Sequence, residues 1–507
     1  MPDGISEKFP ERLDELVDSR IEARPEARCF WWNGKWQGYS ELGALAGSCA
    51  EALRAAGFGP GQRLAVLMPN CPAVLALSLA VWRLGGIFCP LNEKSGALSL
   101  LKTLALLEPF AVVLSEGVKG DLAAELERGG WPCAVCPAEG PLPALSGRPG
   151  EPESDELAVI FSTSGTTGDP KAVPLTHANL IDNCRGCVEH LQILTPEESF
   201  LNVLPNFHAF GFTAGMLLPF CIGGSQVIVP GFMPPQNTLR AILEARPNVL
   251  LLVPTMLGFL TGLVERKGQP ITGLKFLIAG GDRYNVQMDD RVTAAFGIPV
   301  IEGYGITECS PVLAVNRNPA ERRLGTVGTP LPRFELKLCT EDGSPAQGDE
   351  GVLWVRGPSV TSGYYHAPEI NGERFHNGWF NTGDYVRFED GYVKILDRVT
   401  DIVIVGGFNV YPQEVEAVLS GHPAVQTAVV VGTPNDIAGE VPKAFIVRKE
   451  DAESAAITET DLIKFCKARL SHYKVPRSVE FVTELPLSST GKVLRRVLRQ
   501  RERDGKN

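Results

Sequence analysis

The sequence predicts an α/β protein built from more than one domain. Three observations carry this expectation. The chain has 507 residues, and single hydrophobic cores stop growing near ~250–300 residues. Helical and strand patterns alternate through the first three hundred positions, as they do in layered α/β folds. The texture then changes near residue 324 to short strands and turns, and again after Asp397-Arg398 to a compact unit with its own helices and strands.

Taken in order, an amphipathic helix is expected near Pro10–Ile21 and a hairpin over Cys29–Tyr39, turning on Asn33-Gly34. A helix over Ser40–Ala56 leads to a strand at Arg63–Met68. Residues 137–156, rich in Pro, Gly and Glu, read as a surface loop. The apolar run Leu157–Phe161 reads as a buried strand, followed by a helix over Ala178–Leu191. Further strands are expected near Ser199–Leu204, Gln226–Val229, Val249–Val253, Phe276–Ala279 and Val300–Glu302. Glu335–Cys339, Gly351–Arg356, Asp384–Glu389 and Tyr392–Leu396 then suggest a small β-rich subdomain. The last unit reads as helix Pro412–Ser420, strands Val425–Val431 and Lys443–Arg448, helix Glu459–Leu470 and a basic helix Val493–Arg501.

Composition narrows the function classes. The net charge of −11 provides no basic footprint for nucleic acid, so any phosphate must be held by local groups. The polar start Met-Pro-Asp-Gly-Ile-Ser-Glu-Lys lacks the apolar stretch of a signal peptide. Ala73–Trp82 and Phe212–Val229 are too short or too broken to span a bilayer, although transient membrane contact to collect a lipid substrate stays open. Twelve cysteines are mostly single; Cys133-x-x-Cys136 and Cys184-x-x-Cys187 read as small buried apolar residues, not as a metal site. The expected compartment is the reducing cytoplasm.

The chemistry-bearing segments begin at Ser162-Thr163-Ser164-Gly165-Thr166-Thr167-Gly168-Asp169-Pro170-Lys171, directly after the apolar run. Gly165 and Gly168 let backbone approach an anion, the hydroxyls donate, and Lys171 adds charge. Pro170 and the following Val173-Pro174 separate this loop from the Walker type. By itself such a window is more often a linker; the remaining segments turn the balance. In Glu302-Gly303-Tyr304-Gly305-Ile306-Thr307-Glu308, Tyr304 can stack on a purine, Thr307 can donate to phosphate and Glu308 can hold Mg²⁺. Asp384, in Trp379–Asp384, can accept ribose hydroxyls, and Arg398 adds a fixed cation, although a surface ion pair is the commoner fate of such residues. Gly406-Gly407 permits close backbone approach just before the helix opening at Pro412. Lys492, in Leu485–Lys492, can be delivered on a loop as a movable cation.

In this order, these segments resemble the adenylate-forming superfamily of acyl-CoA synthetases, peptide-synthetase adenylation domains and luciferases, over about residues 20 to 500. The nearest likeness is to long-chain fatty acyl-CoA ligases and acyl–acyl-carrier-protein synthetases, carried by Glu302–Pro311, Gly407–Pro412 and Phe465–Pro476. The resemblance implies a large N-terminal adenylation domain (residues 1–397) of layered α/β subdomains plus a small β-barrel-like subdomain. A small mobile α+β C-terminal domain (398–507) would follow, hinged at 397–401.

It also implies roles. Ser162, Thr163, Ser164, Gly165, Thr166, Thr167, Gly168 and Lys171 would hold the β- and γ-phosphates of ATP, Thr307 the α-phosphate, and Glu308 the Mg²⁺. Tyr304 and Gly280-Gly281-Asp282 would frame adenine, and Asp384 with Arg398 the ribose. Lys492 would bridge carboxylate and phosphate during adenylation, His208 would sit where acyl group meets thiol, and Gly406-Gly407 would line the thiol tunnel after domain rotation. Thr400 stands at the hinge where Asp or Lys is usual, and Ala172 follows the loop lysine where Gly is more common.

The implied activity is ATP-dependent activation of a medium- or long-chain fatty acid as acyl-AMP, followed by transfer to a thiol. CoA and the phosphopantetheine of an acyl carrier protein both fit as acceptor, because the basic tail (Arg495, Arg496, Arg499, Arg501, Arg503) suits either. An aryl or short-chain acid remains an alternative, and monomer and homodimer are both open. A silent binding protein on the same fold is disfavoured by the presence of both Glu308 and Lys492.

Overall fold

The computed structural model describes residues 9–504 apart from 119–120, 165–169, 193, 341–342, 406–407, 436–438, 452–453, 455 and 488–492. The chain forms two compact units. The first comprises residues 1–284, 288–335 and 355–380; the second comprises 285–287, 336–354 and 381–507.

In the first unit the strands run β1 Arg28–Trp32, β2 Lys35–Gly38, β3 Arg63–Leu67, β4 Ile87–Pro90, β5 Ala111–Ser115, β6 Cys133–Cys136, β7 Leu157–Ser164, β8 Pro170–Thr176, β9 Ser199–Asn202, β10 Ser225–Ile228, β11 Val249–Leu252, β12 Phe276–Ala279, β13 Ile301–Gly305, β14 Val312–Val315 and β15 Thr329–Pro330. They make two sheets. One has six strands in the order β6-β5-β3-β4-β7-β8, and the other has nine, ordered β15-β14-β13-β12-β11-β9-β10-β1-β2.

The central pairings of both sheets are parallel. Parallel strands are covered on both faces, which is why runs such as Val249–Leu252 and Phe276–Ala279 are apolar throughout and wholly buried. The expected hairpin on Asn33-Gly34 is present as β1–β2, with Trp32 opposite Lys35. The helix expected over Ala178–Leu191 runs His177–Leu191. Its start is fixed by a reciprocal cap: Asn179 N donates to Thr176 Oγ1 at 3.0 Å, and Thr176 N donates to Asn179 Oδ1 at 2.9 Å. Such a cap contributes about 1 kcal/mol.

The segment Phe210–Leu217 forms a π-helix, which the sequence pattern did not single out. Its Phe212 packs edge-on to Phe161 (5.3 Å between ring centroids) and Trp82 (6.2 Å) and stacks on Phe88 (6.0 Å). Phe88 and Phe161 lie on β4 and β7, so this aromatic knot ties the π-helix to the six-stranded sheet. Each fully buried ring contributes roughly 1.5–3 kcal/mol.

β18 Phe375–His376 belongs to the first unit, and β16 Glu335–Cys339, β17 Glu350–Arg356 and β19 Trp379–Glu389 each have residues in both; the second unit continues with β20 Tyr392–Arg398, β21 Val403–Val405, β22 Phe408–Val410, β23 Val425–Asn435, β24 Gly439–Arg448 and β25 Ser478–Phe481. β19 and β20 pair as a long hairpin that sets Asp384 opposite Arg398. A second sheet, β22-β21-β24-β23 with β25 beside β24, buries Val403, Val410, Val430, Ala444 and Ile446 under the helices Pro412–Ser420 and Glu459–Lys467. The basic helix runs Arg495–Asp504.

All cysteines except Cys133 are buried. Burial pushes the Cys187 thiol up to about 12, so it behaves as a small apolar group. Among the described residues, no helix is long and apolar enough to cross a membrane.

Candidate active site

Three candidate segments in the first unit share one topological position. His208 follows β9, Gly280-Gly281-Asp282 follow β12, and Thr307-Glu308 follow β13. β12 pairs in parallel with both β11 and β13, and β11 with β9. The candidates therefore gather beyond the carboxyl ends of neighbouring parallel strands, where open α/β sheets place ligands.

The strands on either side of the expected phosphate loop, β7 and β8, pair as an antiparallel hairpin. β7 and β8 pair with Ser164 opposite Pro170, Thr163 opposite Lys171 and Ser162 opposite Ala172. Both prolines of β8 are tolerated because this strand closes the sheet edge. Gly165, Thr166, Thr167, Gly168 and Asp169 lie outside the described residues, as do the side chains of Thr163 and Ser164. Gly406, Gly407 and Lys492 also lie outside them.

Glu308 and Lys171 are brought together by a side chain that sequence reasoning missed. Tyr364 donates its hydroxyl to Glu308 Oε1 at 2.5 Å, and Lys171 Nζ lies 5.6 Å from the centre of the Tyr364 ring. The segment 358–365 is stitched to both partners. Thr361 N donates to the Glu308 carbonyl at 2.8 Å, and Tyr365 N to the Ala172 carbonyl at 2.9 Å. Thr361 Oγ1 donates to the Pro174 carbonyl at 2.6 Å, and Asn179 Nδ2 to the Pro358 carbonyl at 2.6 Å. The available signal was the turn-forming run Ser359-Val360-Thr361-Ser362-Gly363 before an aromatic pair, Tyr364-Tyr365.

Thr307 and Glu308 occupy a short 3₁₀ turn after β13. The chain reaches it through Gly305, where an added Cβ would stand 2.2 Å from the Pro311 carbonyl oxygen, so only glycine fits this crossing. Tyr304 on β13 is partly exposed and pairs in register with Ala314. Glu302, at the other end of β13, is buried; burial raises its carboxyl to about 7, opposed by the Gly325 N–H that it accepts at 2.7 Å.

His208 Nδ1 accepts from Phe210 N at 3.3 Å. In the neutral ring this contact uses the Nδ1 lone pair and leaves the hydrogen on Nε2. The Phe210 ring lies over Gly280, its edge 3.2 Å from where a Cβ would stand. This contact brings the His208 loop and the Gly280-Gly281 segment together.

In the second unit Arg398 Nε donates to Asp384 Oδ1 at 2.8 Å, with Asp384 buried and Arg398 exposed. Asp397 is buried too; it accepts from Arg398 N at 2.8 Å and Gln413 N at 3.1 Å. Burial raises its carboxyl to about 7 against the pull of Arg495. Three arginines of the basic tail are engaged within their own unit. Arg495 pairs with Glu416 at 2.6 Å, Arg501 with Glu480 at 2.8 Å, and Arg499 with Asp401 and the Thr400 carbonyl, the latter at 2.9 Å.

The donor chemistry suits the expected ligands. Glu308 offers hard carboxylate oxygen, the type magnesium takes alongside substrate phosphates and water. Lys171 and the hairpin hydroxyls and N–H groups suit phosphate oxygens.

Comparison with known proteins identifies the family. The AMP-binding enzyme family model matches residues 17–365, and the model of the AMP-binding enzyme C-terminal domain matches residues 414–492. The chain thus belongs to the AMP-binding enzyme family, the adenylate-forming superfamily that its motifs resemble. A feruloyl-CoA synthase of Amycolatopsis sp is 34% identical over 475 residues, covering 91% of this chain and 93% of that protein. A long-chain-fatty-acid–CoA ligase of Bacillus subtilis is 32% identical, covering 89% and 88%. ATP-bound MatB from Rhodopseudomonas palustris has the same fold, with a TM-score of 0.86 at 30% identity over 98% of this chain and 100% of that one. The protein is an AMP-forming acid–CoA ligase that uses ATP, Mg²⁺ and CoA.

Proposed function

We propose that this ligase activates a medium- or long-chain fatty acid. The observation that carries the adenylation half of the reading is the Lys171–Tyr364–Glu308 constellation at the base of the phosphate hairpin. Carboxylates resist thiol attack, so the acid oxygen first displaces pyrophosphate in line at the α-phosphorus, a step that needs positioning and charge neutralisation. In this reading Lys171 and the hairpin residues Ser162, Thr163, Ser164, Gly165, Thr166, Thr167 and Gly168 grip the departing pyrophosphate. Thr307 contacts the α-phosphate. Glu308, oriented by Tyr364, holds the magnesium, which supplies neutralising charge when bound.

Tyr304 and Gly280-Gly281-Asp282 frame the adenine, and Asp384 with Arg398 holds the ribose. Lys492 bridges the acyl carboxylate and the phosphate, and His208 contributes its Nε2–H beside the acyl group. A division of labour at residue 397, with a hinge over 397–401, belongs to the same reading. Lys492 would serve adenylation, and the Gly406-Gly407 loop would serve thiolysis.

The fatty-acid assignment is supported by the Bacillus subtilis relative and by the Phe-, Leu- and Gly-rich segments at 206–218, 252–259 and 278–282. A second reading, an aromatic acid, is supported by the 34% identity to the feruloyl-CoA synthase. Pyrophosphate release measured across saturated acids of two to eighteen carbons, benzoate and ferulate, with CoA and separately with acyl carrier protein as acceptor, tests both. A maximum at about eight carbons or more with CoA is expected. A ferulate or benzoate maximum overturns the fatty-acid assignment, and turnover with the carrier protein would add it as a second acceptor beside CoA.

A further inference from the structure

Four side-chain amides in the first unit form one buried hydrogen-bond network that the reaction scheme above does not use. Asn70, Asn202, Asn206 and Gln226 are exposed by 3% or less. Asn70 follows β3 of the six-stranded sheet, while Asn202 ends β9 and Gln226 lies on β10 of the nine-stranded sheet. Asn202 is the hub. Its Oδ1 accepts from Asn70 Nδ2 at 3.1 Å and from Asn206 Nδ2 at 3.0 Å, and its Nδ2 donates to Gln226 Oε1 at 2.7 Å.

The outer bonds of the network all go to the backbone of one segment. Asn206 N donates to Asn70 Oδ1 at 2.8 Å, and Asn70 Nδ2 donates to the Leu204 carbonyl at 2.8 Å. Asn206 Nδ2 donates to the Gly211 carbonyl at 3.1 Å, and Gln226 Nε2 to the Met216 carbonyl at 3.4 Å. The bonds therefore grip the chain on both sides of His208 and near both ends of the π-helix Phe210–Leu217. π-helical turns are rare and recur at functional sites. Gly211 fits the same clamp: an added Cβ would stand 2.3 Å from the Pro205 carbonyl oxygen.

Between the gripped points the loop closes on itself. His208 N donates to the Pro205 carbonyl at 3.0 Å, and Phe212 N to the His208 carbonyl at 2.9 Å. His208 and Phe210 thus have little freedom while the amides hold. A buried amide that loses its partner keeps an unmet donor or acceptor, and the neighbouring backbone must move to satisfy it.

We propose that Asn70, Asn202, Asn206 and Gln226 are positioning residues for the acid-binding end of the site, fixing through one network the loop that carries His208 and Phe210. The proposal rests on the ligase reading above, in which His208 stands beside the acyl group. Gln226 is the informative position, because among the described residues its side-chain bonds go to Asn202 and the Met216 carbonyl and not to His208 or Phe210.

The test uses full-length enzyme, with hexanoate, dodecanoate, hexadecanoate, benzoate and ferulate as acids. Wild-type acid-dependent pyrophosphate release tests the ligase reading by itself; the variants are compared on the best acid found there. Gln226→Met is expected to raise the KM for the acid about tenfold while moving the KM for ATP less than twofold. In a His208→Ala background the same change should add less than twofold to the acid KM, since residues acting through one another are not additive. Should Gln226→Met not fold, Gln226→Asn, which keeps an amide but shortens it, is expected to show the same split at smaller amplitude. Equal shifts in both KM values, a loss confined to active-enzyme concentration, or an undiminished effect in the His208→Ala background would overturn the proposal.

Discussion

The buried carboxyl of Asp397 makes stability of the second unit depend on pH, and Asp397→Asn isolates that dependence. Burial raises this group from 3.8 to about 7, with Arg495 and the N–H groups of Gln413 and Arg398 opposing and Glu416 reinforcing. The folded state therefore holds the proton more tightly than the unfolded chain does. The stability this contributes is complete below pH 3.8 and is lost as pH rises through about 7. Each pH unit between those values is worth about 1.4 kcal/mol, so the total is about 4 kcal/mol, of which about 2–3 kcal/mol is lost between pH 5 and pH 8.

Asparagine cannot ionise and lacks this slope. It also offers one acceptor oxygen where Asp397 accepts from two N–H groups, at 2.8 and 3.1 Å, a pH-independent cost of about 1–3 kcal/mol. The variant should thus be the weaker protein at pH 5 and should match or exceed wild type at pH 8. Hydrogen exchange of the amides of β23 and β24 in the intact enzyme, corrected for intrinsic rates, reads the opening free energy at each pH. A gap between variant and wild type that stays constant from pH 5 to pH 8 would refute the reasoning.

Three further outcomes are expected. Lys492→Ala should abolish acyl-AMP formation yet leave thiolysis of supplied acyl-AMP far less affected, checked by assaying the half-reactions separately; equal losses would exclude separate duties for Lys492. Tyr364→Phe removes the hydroxyl that orients Glu308, a charge-assisted bond of about 1.5–3 kcal/mol. Pyrophosphate release should fall roughly 10–100-fold with a raised magnesium requirement in a metal titration. Arg495→Met leaves Glu416 buried without its cation and should cost about 3–5 kcal/mol by denaturant unfolding, with Arg495→Met/Glu416→Gln recovering much of that loss.

What could be read from the sequence divides along a physical line. Strands such as Leu157–Phe161 and Phe276–Ala279 were legible because a strand covered on both faces must be apolar throughout. Glu308 and Lys171 could be singled out as candidates only because several such segments occur in one order; the structure adds that Tyr364 links them. The strand β8 was not, since Pro170 and Pro174 argue against a strand unless its place at the sheet edge is known. The Tyr364–Glu308 bond joins residues 56 apart, and Asn70 reaches Asn202 across 132 residues. Nothing local distinguishes a buried asparagine from one on the surface. The π-helix was hidden for a similar reason: Phe210–Leu217 is apolar on every side, so it carries no period to read.

The two devices that hold the first unit's site share no residue. Tyr364, Thr361 and Tyr365 tie the proposed phosphate end to β8 and Glu308, while Asn70, Asn202, Asn206 and Gln226 tie the proposed acid end to β9 and β10. On the proposed reading, such independence would let the loop at 204–216 be remodelled toward a new acid while the phosphate end stays unaltered; relatives about one-third identical to this chain include both a feruloyl-CoA synthase and a long-chain-fatty-acid–CoA ligase.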